Sequence, residues 1–162
     1  MEEIKTYKVF FYGCMSLSLI KKLTGKNPLR YSKAILKDHR LRFCDYSDHW
    51  MGATATLVRN KGSIVEGLFV VLDEEQIKKI DQYEHNYSRQ RRIITNTESG
   101  ERITAFVYVK KDCKLDGIPS RKYVNAMRRL QEDISQPFYS VSSGGSSSSS
   151  LEGGSKSIGF SK

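Results

Sequence analysis

Apolar and polar residues alternate along some stretches of this chain and recur at helical spacing along others, and the two rhythms predict its elements. Lys8 to Tyr12 (Lys-Val-Phe-Phe-Tyr) is a short β-rich run halted by Gly13, as a buried first strand would be. Ser16 to Leu23 places Leu17, Ile20 and Leu23 at near-helical spacing before Gly25 and Pro28, which predicts a short helix. Ala34 to Tyr46 reads as a strand with Ile35, Leu41 and Phe43 on one side and a bend near Asp38. Gly52 to Val58 and Ile64 to Leu72 read as a strand pair, joined by a tight reversal through Arg59-Asn60-Lys61-Gly62-Ser63.

Asp73 caps the clearest helix, with Glu74 and Glu75 at its positive end and Lys78 and Lys79 later. Tyr87 to Thr97 and Arg102 to Val109 predict a hairpin around Glu98-Ser99-Gly100-Glu101. Pro119-Ser120 opens a last helix to about Ile134, with Tyr123, Met127, Leu130 and Ile134 along one stripe. This order predicts an α+β domain in which a curved or closed antiparallel sheet carries three helices.

Composition sets the limits of that domain. A chain of 162 residues has room for one core and a tail. From Ser140 onward it becomes serine and glycine, which bury too little apolar surface to offset the entropy of ordering. The expected division is a domain over 1–139 and a flexible tail over 140–162.

The net charge is +9, but the basic residues fall in separate elements and form no nucleic-acid motif, so a solvated basic surface is expected. Three cysteines, Cys14, Cys44 and Cys113, lie far apart, which predicts neither a disulfide framework nor a metal or redox pair. No run is long and apolar enough for a membrane span, and Met1 to Lys5 lacks a signal-peptide core, so cytoplasm is the expected compartment.

Two places carry candidate chemistry. Ile77 and Ile80 mark the inner side of the Asp73 helix, and Glu84, seven residues beyond Ile77, shares that side. A carboxyl turned inward is desolvated, its pKa rises, and it can exchange a proton near neutral pH. Two other readings stay open: the helix ends by Tyr83 and leaves Glu84 in a solvated turn, or Glu84 pairs with Arg89 or Arg91. The second place is Tyr12-Gly13-Cys14-Met15, between first strand and first helix. There a glycine allows close backbone approach, and a helix N-terminus aims N–H groups at a carboxylate or oxyanion. A plain strand-to-helix turn is the simpler alternative. Cys14 as a thiolate with His39, His49 or His85 as base is a further rival, whereas the histidines show no metal-ligand spacing.

Taken together, these segments resemble the gamma-glutamylcyclotransferase family. Its hallmarks are a Tyr-Gly-Ser-Asn loop after the first strand and, much later, a helix ending in a short acidic motif with the catalytic Glu. Here they read Tyr12-Gly13-Cys14-Met15 and Asp81-Gln82-Tyr83-Glu84. Lys37 to Phe43, Trp50 to Leu57, Val65 to Phe69 and Pro119 to Tyr123 are similar to further family segments in the expected order. The likeness covers most of residues 7 to 133.

The resemblance implies a small mixed, mostly antiparallel β-barrel with flanking helices. It also implies conversion of a gamma-glutamyl amino acid or amine to 5-oxoproline and free amine, as in glutathione metabolism. The substrate's own α-amine attacks its δ-carbonyl, so no cofactor or metal is called for. By resemblance Glu84 is the general acid/base, the backbone of Val9, Phe10, Phe11, Tyr12, Gly13 and Cys14 holds the glutamyl part, and Tyr123 contacts the substrate. The partner is then a small gamma-glutamyl molecule rather than nucleic acid or membrane, and a homodimer is compatible. Cys14 and Met15 replace the family's serine and asparagine, Phe11 a residue that is often smaller, and His85 a frequent glycine. The alternative is accordingly an inactive binding module on the same fold.

Overall fold

The structure, a computed structural model, describes residues 3–136, and the expected tail over 140–162 lies outside them. Five strands and three helices follow in the order β1 (Thr6–Phe11), α1 (Leu17–Thr24), β2 (Arg30–Ser47), β3 (Gly52–Asp73), α2 (Glu74–Tyr83), β4 (Tyr87–Asn96), β5 (Arg102–Lys110) and α3 (Arg121–Ser135). The strands close into a barrel in the order β1-β3-β2-β4-β5. Neighbours run antiparallel except where β5 meets β1 in parallel through Phe106 and Val9. The expected mixed, mostly antiparallel barrel with flanking helices is the fold observed.

The expected reversal at Arg59 to Ser63 is not there. β3 runs unbroken for 22 residues and lies along β2, pairing Ile64 with Lys37 and then Arg59 with His39. Residues 60–63 therefore bulge opposite Asp38, whose φ is +62°. Gly62 has φ +88°, and its N–H donates to Asp38 Oδ1 at 2.9 Å. A glycine among polar residues serves a bulge as well as a turn, which is why the sequence misleads here. The true reversal connects Ser47 to Gly52. The bulge also changes which side faces inward. Ala34 and Leu36 join the barrel core before it, and Leu41 and Phe43 pack on the same core after it. Ile35, expected to share a side with Leu41 and Phe43, falls on the opposite face.

Alternation along β1 feeds two cores. Phe10 and Tyr12 point into the barrel with Leu36, Phe69, Ile94 and Val107. Val9 and Phe11 point outward, where Ile20, Ile77, Ile80, Leu130 and Ile134 of the helices cover the sheet. Each such side chain, fully buried, contributes about 1.5–3 kcal/mol. α2 starts on a capping box in which Asp73 accepts from Gln76 N–H at 2.8 Å and the Gln76 side chain accepts from Asp73 N–H at 3.0 Å.

The cysteine reading also needs correction: Cys44 and Cys113 form a disulfide, with Cα atoms 5.6 Å apart. Their separation of 69 residues carries no signal in sequence, but the barrel lays the segment after β5 against the end of β2. Asp45 N–H donates to the Leu115 carbonyl at 2.8 Å, the Asp45 carboxylate accepts the N–H groups of Lys114 and Leu115, and Arg42 pairs with Asp116 at 2.7 Å. Cys14 remains a free thiol. Disulfides persist mainly in oxidising compartments, so this bond counts against the cytoplasmic expectation. Among the described residues no helix is long and apolar enough to cross a membrane.

Two seams of the barrel are barely stitched: β1 meets β5 through one residue pair. β2 and β4 pair only through Ala34 with Asn96 and Ile35 with Thr95. Beyond these no ladder pair joins them, although Arg92 of β4 donates to His39 Nε2 of β2 at 3.3 Å.

Candidate active site

A cavity of about 810 Å³ opens where the ends of β1, β2 and β5 and the starts of β3 and β4 come together. Its wall draws on the β1–α1 corner (Phe11, Tyr12, Cys14), the end of α2 (Tyr83, Glu84), β5 (Tyr108, Lys110), Tyr123 of α3 and the rim from Asp45 to Trp50.

Glu84 is the C-cap of α2, and its N–H donates to the Ile80 carbonyl at 2.8 Å. The helix thus does end at Tyr83, yet the carboxyl enters the cavity instead of bulk water. Ile77 and Ile80 hold this side of the helix against the core. The expected alternative partner, Arg89, pairs with Asp81 at 3.2 Å. Among the described residues the Glu84 carboxyl has neither ion pair nor hydrogen bond. Burial pushes its pKa up to about 8, opposed in part by the Lys110 charge. It keeps some exposed surface because the cavity itself is open, although protein surrounds it.

Aromatic residues supply most of the remaining wall. The Tyr12 hydroxyl donates to the Tyr108 carbonyl, Tyr108 donates to Asp81 Oδ1 at 2.6 Å, and Tyr87 donates to the Ala55 carbonyl at 2.9 Å. Burial above all holds Tyr12, Tyr83, Tyr87, Tyr108 and Tyr123 well above the ordinary phenol range. They are therefore neutral hydrogen-bonding groups at physiological pH. Ser120 sets the place of Tyr123: as N-cap it accepts Tyr123 N–H at 3.1 Å, and it donates to the Trp50 carbonyl at 2.5 Å. The Trp50 and Tyr123 rings then meet edge to face at 5.1 Å.

At the β1–α1 corner Gly13 has φ +71°, and a Cβ there would lie 3.2 Å from the Tyr123 hydroxyl. The α1 N-terminus does not serve the cavity as expected. Leu17 N–H donates to Asp133 Oδ2 at 2.8 Å and Leu19 N–H to Ser16 Oγ at 3.2 Å, so protein groups occupy those first-turn donors.

Of the residues singled out in the sequence, Glu84, Phe11, Tyr12, Cys14 and Tyr123 share the cavity wall. Gly13 is buried beside Tyr123. Val9 and Phe10 are fully buried in the two cores, paired with Val70 and Phe69, and do not line the cavity. The Cys14 thiol is pushed up to about 12, by burial first and the Glu84 charge second, which disfavours a thiolate nucleophile. His39 lies away from the cavity wall, with Nδ1 2.8 Å from the Lys37 carbonyl and Nε2 accepting from Arg92. Sequence reasoning missed Tyr87, Tyr108 and Lys110; the polar ends of otherwise apolar strand runs were the available signal.

Residues 9–125 match the family described as gamma-glutamyl cyclotransferase, AIG2-like. No curated protein matches the sequence significantly. Solved structures that share the fold include a gamma-glutamyl cyclotransferase (TM-score 0.72, 19% identity, 82% of each chain) and an uncharacterised human protein (TM-score 0.71, 20% identity, 82% of each chain). An Arabidopsis thaliana protein also shares it (TM-score 0.58, 16% identity, 85% of this chain and 98% of that one). With a match over most of its folded length and the same barrel, the chain belongs to the gamma-glutamyl cyclotransferase, AIG2-like family.

Proposed function

We propose that this protein cyclises a gamma-glutamyl amino acid or gamma-glutamyl amine to 5-oxoproline with release of the amine, using Glu84 as general acid/base. The observation that carries this reading is the Glu84 carboxyl, unpaired in the cavity and facing the Tyr12-Gly13-Cys14 corner, with its pKa raised to about 8. As carboxylate it accepts a proton from the substrate α-ammonium. The freed amine attacks the δ-carbonyl carbon, closing the five-membered ring and placing negative charge on oxygen. Backbone N–H groups of the corner offer donors for that oxyanion. The oxyanion then collapses, the bond to the leaving nitrogen breaks as Glu84 returns a proton to that nitrogen, and the regenerated carboxylate takes the surplus proton of the ring nitrogen and passes it to the departing amine, which leaves as ammonium. Holding the glutamyl chain folded supplies much of the acceleration, since the attack is intramolecular. Phe11, Tyr12 and Tyr123 shape the wall that holds it, and Val9 and Phe10 act through the backbone of β1.

Incubation with gamma-glutamyl dipeptides and gamma-glutamyl amines, assayed for 5-oxoproline, tests the reading. Product is expected from at least one donor, and Glu84→Gln is expected to lower its rate by about a hundredfold or more while remaining folded. Absence of product from every donor favours a second reading, a binding module on the same fold. Cys14 and Met15 motivate that alternative, because they replace the two polar side chains that the family carries in this loop.

A further inference from the structure

Lys110 closes β5 at the cavity, and neither the family's loop nor its acidic motif includes it. Its backbone N–H donates to Thr56 Oγ1 at 3.0 Å, while its ammonium donates to the Cys44 carbonyl of β2 at 2.5 Å. An ammonium carries three donors, so two remain for a ligand. Lys110 is half-buried, whereas the other cationic or titratable basic residues of the wall, Lys111, His49 and His85, are exposed on the rim. Lys110 and Glu84 influence one another electrostatically but form no ion pair, so a space separates the two charges. Burial lowers the pKa of Lys110, while Asp45 and Glu84 favour its charged form.

A gamma-glutamyl group is zwitterionic at its α-carbon: ammonium and carboxylate are attached to the same atom. A carboxylate base that takes the ammonium therefore leaves the substrate carboxylate close by, where it needs a cation or a set of donors. An ammonium beside that base, unpaired with it and carrying spare donors, meets this requirement. We propose that Lys110 binds the α-carboxylate of the gamma-glutamyl group, with Glu84 and Lys110 dividing the two charges of the zwitterion between them. The assignment rests on the cyclotransferase reading and adds a determinant of specificity to it: donors and products that lack the α-carboxylate are discriminated against through Lys110.

The test compares binding of 5-oxoproline with binding of 2-pyrrolidinone, the same lactam without the carboxylate, by titration calorimetry on the full chain. The wild type is expected to prefer 5-oxoproline by at least about tenfold, in line with the strength of a charge-assisted contact. Lys110→Met is expected to bring the ratio near one without changing affinity for the neutral lactam. Lys110→Gln, which can still donate to the Cys44 carbonyl, is read alongside as a control for folding and is expected to lose the preference too, whereas Lys110→Arg retains it. If the wild type forms 5-oxoproline from a gamma-glutamyl donor and the Met and Gln variants keep the tenfold preference, the Lys110 assignment falls alone. If the wild type neither forms 5-oxoproline nor prefers it to the neutral lactam, the cyclotransferase reading and this assignment fall together.

Discussion

The Tyr123 hydroxyl stands 3.2 Å from the point where a side chain on Gly13 would begin, and it accepts the Ala55 N–H at 3.0 Å. Three elements meet at one oxygen: the β1–α1 corner, β3 and α3. Gly13→Ala has two costs there. A left-handed φ of +71° disfavours any side chain by about 1–2 kcal/mol, and the new methyl crowds the phenol. The variant is expected to lose stability by roughly that amount and to bind gamma-glutamyl ligands more weakly, as measured by thermal unfolding and calorimetry. An unchanged melting temperature together with unchanged binding would show that the corner relaxes freely.

A buried, unpaired carboxyl at Glu84 is expected to make the fold less stable at alkaline pH than a neutral residue would. The unfolded chain ionises this carboxyl near its ordinary value of 4.5, whereas the folded chain holds the proton to about 8. Stability is therefore fully present below the lower value, declines as pH rises between the two, and is level above the higher. Glu84→Gln does not titrate, so it should be more stable than the wild type at pH 9, by on the order of 2–4 kcal/mol after allowing for water in the cavity. The difference should shrink towards zero at pH 4. Urea unfolding at both pH values checks this, and equal stability at pH 9 would mean that the carboxyl is well solvated.

The proposed role of this carboxyl predicts the same titration in the activity. If the carboxylate is the working base, kcat/KM rises about tenfold per pH unit on the acid side and levels off near pH 8. Lys110 is the cation that favours the ionised carboxylate, so Lys110→Met moves this limb to higher pH. Initial rates from pH 5 to pH 10 for both proteins give the answer. A limb near pH 4.5 in the wild type, or one that Lys110→Met leaves in place, contradicts the assignment of the base.

The Cys44–Cys113 bond closes a long loop, and such crosslinks typically contribute about 2–4 kcal/mol. Unfolding with and without reductant is expected to differ by that amount, and Cys113→Ser should be insensitive to reductant. A wild type equally indifferent to reductant would mean that the two thiols are not joined.

Much of this architecture was legible from residue spacing, because helix stripes and strand alternation report burial directly. Ile77 and Ile80 turn inward as their spacing predicts, Glu84 lines the cavity from the C-cap, and Ser120 caps the helix that its position predicted. What escaped depends on contacts between distant segments. A glycine in a polar stretch does not say whether the chain turns back or only bulges, and at Gly62 the partner Asp38 decides it. Cys44 and Cys113 could not be paired before the sheet order was known. Lys110 looked like one more surface lysine because its carbonyl partner comes from another strand, 66 residues away. The α1 N-terminus looked like a free anion site until Asp133 and Ser16 were found on its donors.

Strand pairing is sparse at the seams that border the cavity, with one residue pair between β1 and β5 and two between β2 and β4. Room for a ligand and completeness of the sheet thus compete: every further rung at those seams would strengthen the barrel and narrow the opening. Selection for a sturdier fold alone would tend to zip the pocket shut, whereas a long side chain such as Lys110, donating to the Cys44 carbonyl, ties the rim together without adding a rung.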